Sequence, residues 1–91
     1  MKRRMEVLFN GTVQGVGFRF TATRIAEHFE VAGFVRNLED GKVELVAEGD
    51  EVVLKDFLKA VSDSEMQSYI RNTQVSWGEP EGRFRGFGIG Y

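Results

Sequence analysis

The order in which strand-like and helix-like patterns follow one another is the feature that most limits the fold of this chain. Apolar and polar residues alternate over residues 5–14, which is typical of a strand with one buried face. An apolar stripe at helical spacing then covers residues 18–29, and we expect Gly33 to cap the C-terminus of this first helix. The chain therefore begins with a strand and a helix.

A hairpin is predicted next. Strand-like runs at residues 34–38 and 43–48 flank Asp40-Gly41, and Asp-Gly between two such runs strongly favours a tight hairpin turn. We expect the acidic side chains around this hairpin to form a solvated face: Glu39, Asp40, Glu44 and Glu48.

A second helix and two more strands complete the pattern. Asp50 is suited to cap a helix whose apolar stripe covers residues 54–61. Strands are expected at about residues 69–77 and 87–89, whereas no pattern assigns a conformation to residues 64–68. The order β-α-β-β-α-β, with a short additional C-terminal strand, predicts a ferredoxin-like α+β sandwich in which two helices cover one face of an antiparallel sheet.

The residue types present exclude several functions. The chain has 91 residues, which suffice for one hydrophobic core, so we expect a single domain over residues 1–91. It has no cysteine and one histidine, His28, which excludes disulfides, Cys-ligated metals and a thiolate nucleophile. Nothing near His28 supports a Ser-His-Asp triad, and we expect it to be a surface residue. Any catalysis must rely on Arg, Lys, Asn, carboxylates or backbone groups.

Charge and hydropathy indicate where the chain acts. Twelve basic and fourteen acidic side chains give a net charge of −2, which argues against a nucleic-acid partner. Residues 1–5 resemble the basic start of a signal peptide, but Glu6 stands where the apolar segment should follow. No apolar run approaches the ~18–20 residues that span a bilayer. We therefore expect a cytoplasmic protein without membrane association.

The turn between the first strand and the first helix contains the most informative residues. Gly15 and Gly17 turn the chain sharply, and Arg19 lies in the first helical turn. Unpaired N–H groups at a helix N-terminus attract anions, and an arginine presents a planar fork that matches two phosphate oxygens. These residues predict a phosphate-sized cradle, although a tight turn with a solvated arginine remains an alternative from the residues alone.

Two motifs in this chain resemble the signatures of the acylphosphatase family. The first is Val13-Gln14-Gly15-Val16-Gly17-Phe18-Arg19, and the second is Gly33-Phe34-Val35-Arg36-Asn37 followed by Asp40-Gly41. The resemblance extends over nearly the whole chain, including its Phe87-x-Ile89 ending. Family members often carry tryptophan where Phe34 stands and a small hydroxyl residue where Leu38 stands.

The resemblance implies a function for each motif. Acylphosphatases hydrolyse the mixed anhydride of a carboxylic and a phosphoric acid without metal, cofactor or covalent intermediate. By resemblance, Arg19 binds phosphate together with the amides of the loop, and Asn37 holds the attacking water. The loop residues are Gly15, Val16, Gly17, Phe18 and Arg19. The expected partner is a small-molecule acyl phosphate, and the resemblance does not specify its acyl group. We expect the protein to be a monomer.

Two alternatives belong to other functional classes. A phosphate cradle can bind an anion without turnover, and an Asn before an Asp-Gly turn, such as Asn37, is often only a turn former. Residues 85–89 also resemble the aromatic motif of RNA-recognition domains on the same general fold. That motif belongs on the third strand, however, and here it ends the chain.

Overall fold

A five-stranded sheet forms the centre of the structure, a computed structural model that describes residues 1–90. In chain order the elements are β1 (Lys2–Gly11), α1 (Phe18–Ala26), β2 (Ala32–Asn37), β3 (Val43–Asp50), α2 (Glu51–Ser62), a short 3-10 helix (Gln67–Tyr69), β4 (Ile70–Gly78) and β5 (Phe87–Ile89). The strands lie in the order β4-β1-β3-β2-β5. This confirms the predicted ferredoxin-like α+β fold.

The directions of the strands bring three strand ends together. β1 is antiparallel to both β3 and β4, and β2 is antiparallel to β3. β5 joins β2 in parallel, which makes the sheet mixed. Consequently β1, β2 and β5 run in the same direction, and their C-terminal residues lie at the same end of the sheet: Gly11, Asn37 and Ile89. We call this the carboxyl edge.

The core lies between one face of the sheet and the two helices. Met5, Val7 and Phe9 alternate along β1 and are fully buried, as the sequence pattern predicts. The ring centres of Phe9 and of Phe18, at the start of α1, are 4.8 Å apart, and α2 contributes Phe57 to the same core. Burial of each of these large side chains contributes about 1.5–3 kcal/mol, which holds the start of α1 against the sheet.

The first helix ends earlier than its apolar stripe predicts. α1 stops at Ala26, and the N–H groups of Glu27, His28 and Phe29 bond to carbonyls three residues back. The expectation that Gly33 caps this helix is wrong, because Gly33 lies within β2. A Cβ at Gly33 would overlap the backbone carbonyl of Val46 on β3, so the close approach of two strands explains this glycine.

The start of α2 and the segment after it also differ from simple expectations. Asp50 precedes α2 as predicted, but its side chain makes no capping hydrogen bond and instead accepts one from the amino group of Met1 at 3.0 Å. After α2, the Ser64 hydroxyl donates to the carbonyl of Val61 at 2.6 Å and accepts from the N–H of Met66 at 3.1 Å. These two hydrogen bonds of the Ser64 side chain form a turn in residues 64–68, the segment to which no sequence pattern assigned a conformation.

The face of the sheet without helices is partly covered by the connection between β4 and β5. These strands lie at opposite edges, so residues 79–86 must cross the sheet. Phe84 in this connection packs against Phe34, with ring centres 5.8 Å apart. The amides of Glu81 and Gly82 donate to the carboxylate of Glu48 at 2.8 and 3.0 Å.

Glu48 is therefore buried, which corrects the expectation that it lies on a solvated face. Its side chain is 8% exposed, and it also accepts a hydrogen bond from Arg4 Nη1 at 2.9 Å. Burial disfavours the charged carboxylate, but the two backbone donors and Arg4 outweigh that cost and lower the pKa of Glu48. Within residues 1–90, no helix has the length and apolar character needed to cross a membrane.

Candidate active site

The turn after β1 presents free backbone donors. Gly15 and Gly17 have φ angles of 78° and 84°, in the left-handed region that favours glycine. Gly17 is the N-cap of α1, no side chain within residues 1–90 caps the helix, and its first turn contains no acidic residue. The first helical bond joins the N–H of Thr21 to the carbonyl of Gly17 at 2.9 Å. The amides of the first turn, that of Arg19 included, therefore lack intrahelical acceptors and carry partial positive charge.

Arg19 adds a full charge at the same place. Its side chain is half-buried, and none of the ten ion pairs formed among residues 1–90 involves it. The other half-buried basic residues in this range all have carboxylate partners: Arg3, Arg4, Arg36 and Lys42. A partly desolvated guanidinium without a carboxylate is suited to bind an external anion.

Asn37 approaches the same place from β2. Strand alternation puts its side chain on the helix-covered face, together with buried Val35 two residues earlier. Only β3 separates β2 from β1, so the carboxyl ends of these strands lie about 10 Å apart, or two inter-strand spacings. The side-chain amide of Asn37 and the turn after β1 therefore border the same space.

Gln14 joins the two parts of this region. Its Nε2 donates to the carbonyls of Leu38 and Lys42 at 2.7 and 2.9 Å. The same Lys42 carbonyl accepts from the N–H of Leu38 at 2.8 Å, so Gln14 braces the hairpin immediately after Asn37. Sequence alternation placed Gln14 only on the polar side of the first strand, and nothing in its spacing indicates a partner 24 residues away.

A cavity of about 300 Å³ lies between these groups. Its lining residues are Val13, Gly15, Gly17, Phe18, Arg19, Phe20, Asn37 and Ile89. Of the six positions that the sequence singled out, five line this cavity. The sixth, Val16, lies in the same turn, but its side chain packs against the core. Phe20 and Ile89 were not predicted as site residues. The sequence does contain a signal for them, because both are large apolar residues that the predicted core does not include.

The chemistry of the lining is limited. Among the described residues around this cavity, Arg19 is the one charged group, and none is a carboxylate, histidine or lysine. Neutral hydrogen-bond donors come from Asn37 and from the backbone. His28 is exposed in the turn after α1, at the opposite end of that helix. Such a lining can hold an anion and orient water, but it offers no side chain to act as a base.

Other features of the molecule lack this combination. A larger cavity of about 530 Å³ lies at the opposite end of the sheet beside Pro80 and Glu48, whose carboxylate already has three donors. Within residues 1–90, no three His, Asp or Glu side chains are grouped as a metal site would require. Phe87, in the segment that resembles an RNA-recognition motif, packs against Phe57 with ring centres 5.4 Å apart. Its ring is thus engaged with the core.

Comparisons with known proteins agree on one family. The family model for acylphosphatase matches residues 5–89. The chain is 37% identical to an acylphosphatase of Archaeoglobus fulgidus over 87 residues, covering 96% of this chain and 97% of that one. It is 38% identical to an acylphosphatase of Thermotoga maritima, covering 98% of each chain. The crystal structure of acylphosphatase from Bacillus subtilis matches with a TM-score of 0.89 and 34% identity, covering 98% of this chain and 99% of that one.

Proposed function

The chain belongs to the acylphosphatase family of hydrolases, and on this premise we propose that the cavity at the carboxyl edge hydrolyses acyl phosphates. Arg19 and the amides of residues 15–19 bind the phosphoryl group. Asn37 holds the water that attacks it. The substrate is the anhydride of a carboxylic acid and phosphate, and the products are a carboxylate and inorganic phosphate.

The observation that carries this proposal is the charge of Arg19, which has no carboxylate partner among residues 1–90. A guanidinium that is half-buried without a carboxylate is costly unless an anion binds it, and the helix N-terminus beside it attracts the same kind of ligand. A phosphoryl group satisfies both, because its oxygens can accept from the guanidinium fork and from the backbone amides together. As negative charge redistributes over these oxygens in the transition state, the same donors stabilise it.

The position of Asn37 in the cavity lining supports a role in orienting water. It lies across the cavity from the turn after β1, so a bound phosphoryl group would lie between Arg19 and the Asn37 amide. A water that accepts from or donates to this amide is held for attack on phosphorus. Holding the water in place contributes to the rate because it removes the entropic cost of bringing the reactants together.

The bond changes need little help from protein acids or bases. Water attacks phosphorus while the bond between phosphorus and the bridging oxygen breaks, and the carboxylate leaves with the bonding electrons. Carboxylates are good leaving groups, so no general acid is required. We assign the proton of the attacking water to a phosphoryl oxygen of the substrate, since the described lining has no basic side chain. Arg19 supplies the positive charge, and the reaction is expected to need no metal.

Steady-state hydrolysis of benzoyl phosphate tests this assignment. We expect turnover that persists in EDTA and is inhibited competitively by inorganic phosphate. Asn37→Ala should lower kcat by about 100-fold or more with little change in KM, because the amide acts on the water rather than on the phosphoryl group. Asn72→Ala, on exposed edge strand β4, is the matched control and should behave as the wild type. A folded Asn37→Ala protein with near-normal kcat would contradict the role of Asn37.

A further inference from the structure

Two large apolar side chains are exposed at the candidate active site. Phe20 is 69% exposed and Ile89 is 39% exposed, and both line the cavity that contains Arg19 and Asn37. Phe20 follows Arg19 directly in the first turn of α1. A single exposed apolar side chain is common, but two that line the same cavity beside a charged group form the kind of exposed apolar surface that marks ligand-binding grooves.

Strand pairing puts Ile89 on the other side of the same space. Its Cα partner on β2 is Val35, two residues before Asn37, and β5 ends there at the carboxyl edge. The cavity thus has a polar part, formed by Arg19 and Asn37, and an apolar part, formed by Phe20 and Ile89. A ligand that fills both parts must be charged at one end and apolar at the other.

We propose that Phe20 and Ile89 form an acyl subsite, which binds the uncharged apolar acyl group of the substrate, aromatic or branched aliphatic. This inference rests on the proposed function of the cavity. A single bridging oxygen joins phosphorus to the acyl carbon, so the acyl group must lie directly beside the phosphate cradle. Phe20 and Ile89 occupy that position.

The charge of the lining narrows the substrate class further. Apart from Arg19, the described residues around the cavity carry no charge. An acyl group with its own carboxylate or a second phosphate therefore finds no second cation there, and it would lose water without gaining a partner. A cavity of about 300 Å³ is at the small end of ligand sites, which fits a compact acyl group such as benzoyl.

The test compares two substrates that share the phosphoryl group and differ in the acyl group. Hydrolysis of benzoyl phosphate and of acetyl phosphate is measured for the wild type, Phe20→Ala and Ile89→Ala. Val52→Ala is the matched control, because Val52 is 70% exposed on α2 and does not line this cavity. The ratio of the two kcat/KM values in each variant is compared with the wild-type ratio, so the difference in intrinsic reactivity between the two substrates cancels.

We expect the benzoyl-to-acetyl ratio of kcat/KM to fall about tenfold in Phe20→Ala, as for loss of one aromatic pair, and about threefold in Ile89→Ala. The ratio should not change in Val52→Ala. The inhibition constant for inorganic phosphate should stay within about twofold of the wild-type value in all three variants, because inorganic phosphate has no acyl group.

Two results would overturn the subsite. One is a benzoyl-to-acetyl ratio that stays constant in Phe20→Ala and Ile89→Ala. The other is an equal loss for both substrates with weaker phosphate inhibition, which would mean that Phe20 shapes the cradle instead. Failure of the underlying function is recognised separately, because the wild type would then not hydrolyse benzoyl phosphate, or Asn37→Ala would hydrolyse it at the wild-type rate.

Discussion

Two half-buried arginines, Arg4 and Arg19, show how differently the two ends of the sheet are built. Arg4, near the start of β1, donates to Glu6 at 2.8 Å and to Glu48 at 2.9 Å, and its guanidinium lies 5.8 Å from the ring centre of Phe84. Arg19, beyond the end of β1, has no carboxylate partner among residues 1–90. The same type of side chain thus has two carboxylate partners at one end of the sheet and none among the described residues at the other.

The difference separates stability from function. Around Arg4 and Glu48, each buried charge is matched within the chain, so these groups hold residues 79–86 against the sheet. At the carboxyl edge, Arg19 gains no stabilisation from a carboxylate among residues 1–90, and in the proposed function it binds the ligand instead. We therefore expect substitutions at the two ends to have opposite profiles: lost stability at one, lost activity at the other.

The largest expected effect is on activity. Arg19→Ala should reduce kcat/KM for benzoyl phosphate by about 1000-fold or more and weaken inhibition by phosphate, because the main positive charge of the cradle is lost. Its thermal unfolding midpoint should not fall, since no ion pair within the described chain is broken. Arg24→Ala is the control from the same helix, as its exposed side chain pairs with Glu65 at 2.9 Å. A clear loss of stability in Arg19→Ala would break the comparison.

Local patterns predicted the strands, helix and hairpin that border the cavity at the carboxyl edge. The strand that ends before Gly15, the helix that starts after Gly17 and the hairpin after Asn37 all depend on neighbouring residues, so the sequence contains their signals. The order of these elements then implies the fold and the meeting of Arg19 with Asn37 at one edge.

The other side depends on contacts that are distant in sequence. Glu48 has the alternating context of a solvated strand residue, and it is buried only because Glu81 and Gly82, more than 30 residues later, cross over it. From its sequence position Gly33 resembles a helix cap, and only the close approach of β2 to Val46 on β3 shows why it is a glycine. No local pattern contains this information, since it arises from strand order and the path of a connection.

The second prediction concerns stability at the Glu48 end. Glu48→Gln should lower the free energy of unfolding by about 1–3 kcal/mol near neutral pH, because the amide keeps the shape but loses the charge that Arg4 and two backbone donors stabilise. Hydrolysis of benzoyl phosphate should be unchanged. Urea unfolding with a parallel assay measures both quantities, and a loss of turnover in the folded variant would contradict the separation of the two ends.

The pH dependence of the same variant sharpens this prediction. The pKa of folded Glu48 lies below its ordinary value of 4.5, so the folded state binds fewer protons than the unfolded state in that range. The contribution of Glu48 is therefore complete above about pH 4.5 and is lost as the pH falls through the lowered pKa. The stability difference between wild type and Glu48→Gln should shrink on acidification, and a difference that grows would show that the sign is wrong.

The smallest effect is expected at Gln14, which resembles Glu48 in its hydrogen bonds but lies beside the candidate active site. Its hydrogen bonds are all made within the chain, as at Glu48, yet they brace the hairpin that carries Asn37. Gln14→Leu should lower kcat about three- to tenfold with KM nearly unchanged, because Asn37 is less well held while the Arg19 cradle is intact. Gln14→Glu has the same length but no N–H donor, and its charge would face two carbonyl oxygens, so it should lower kcat at least as much. Gln74→Leu on exposed β4 is the control. If both Gln14 variants lose stability but keep the wild-type kcat, Gln14 is a structural group like Glu48. The residues that affect activity would then be fewer than the contacts around Asn37 indicate.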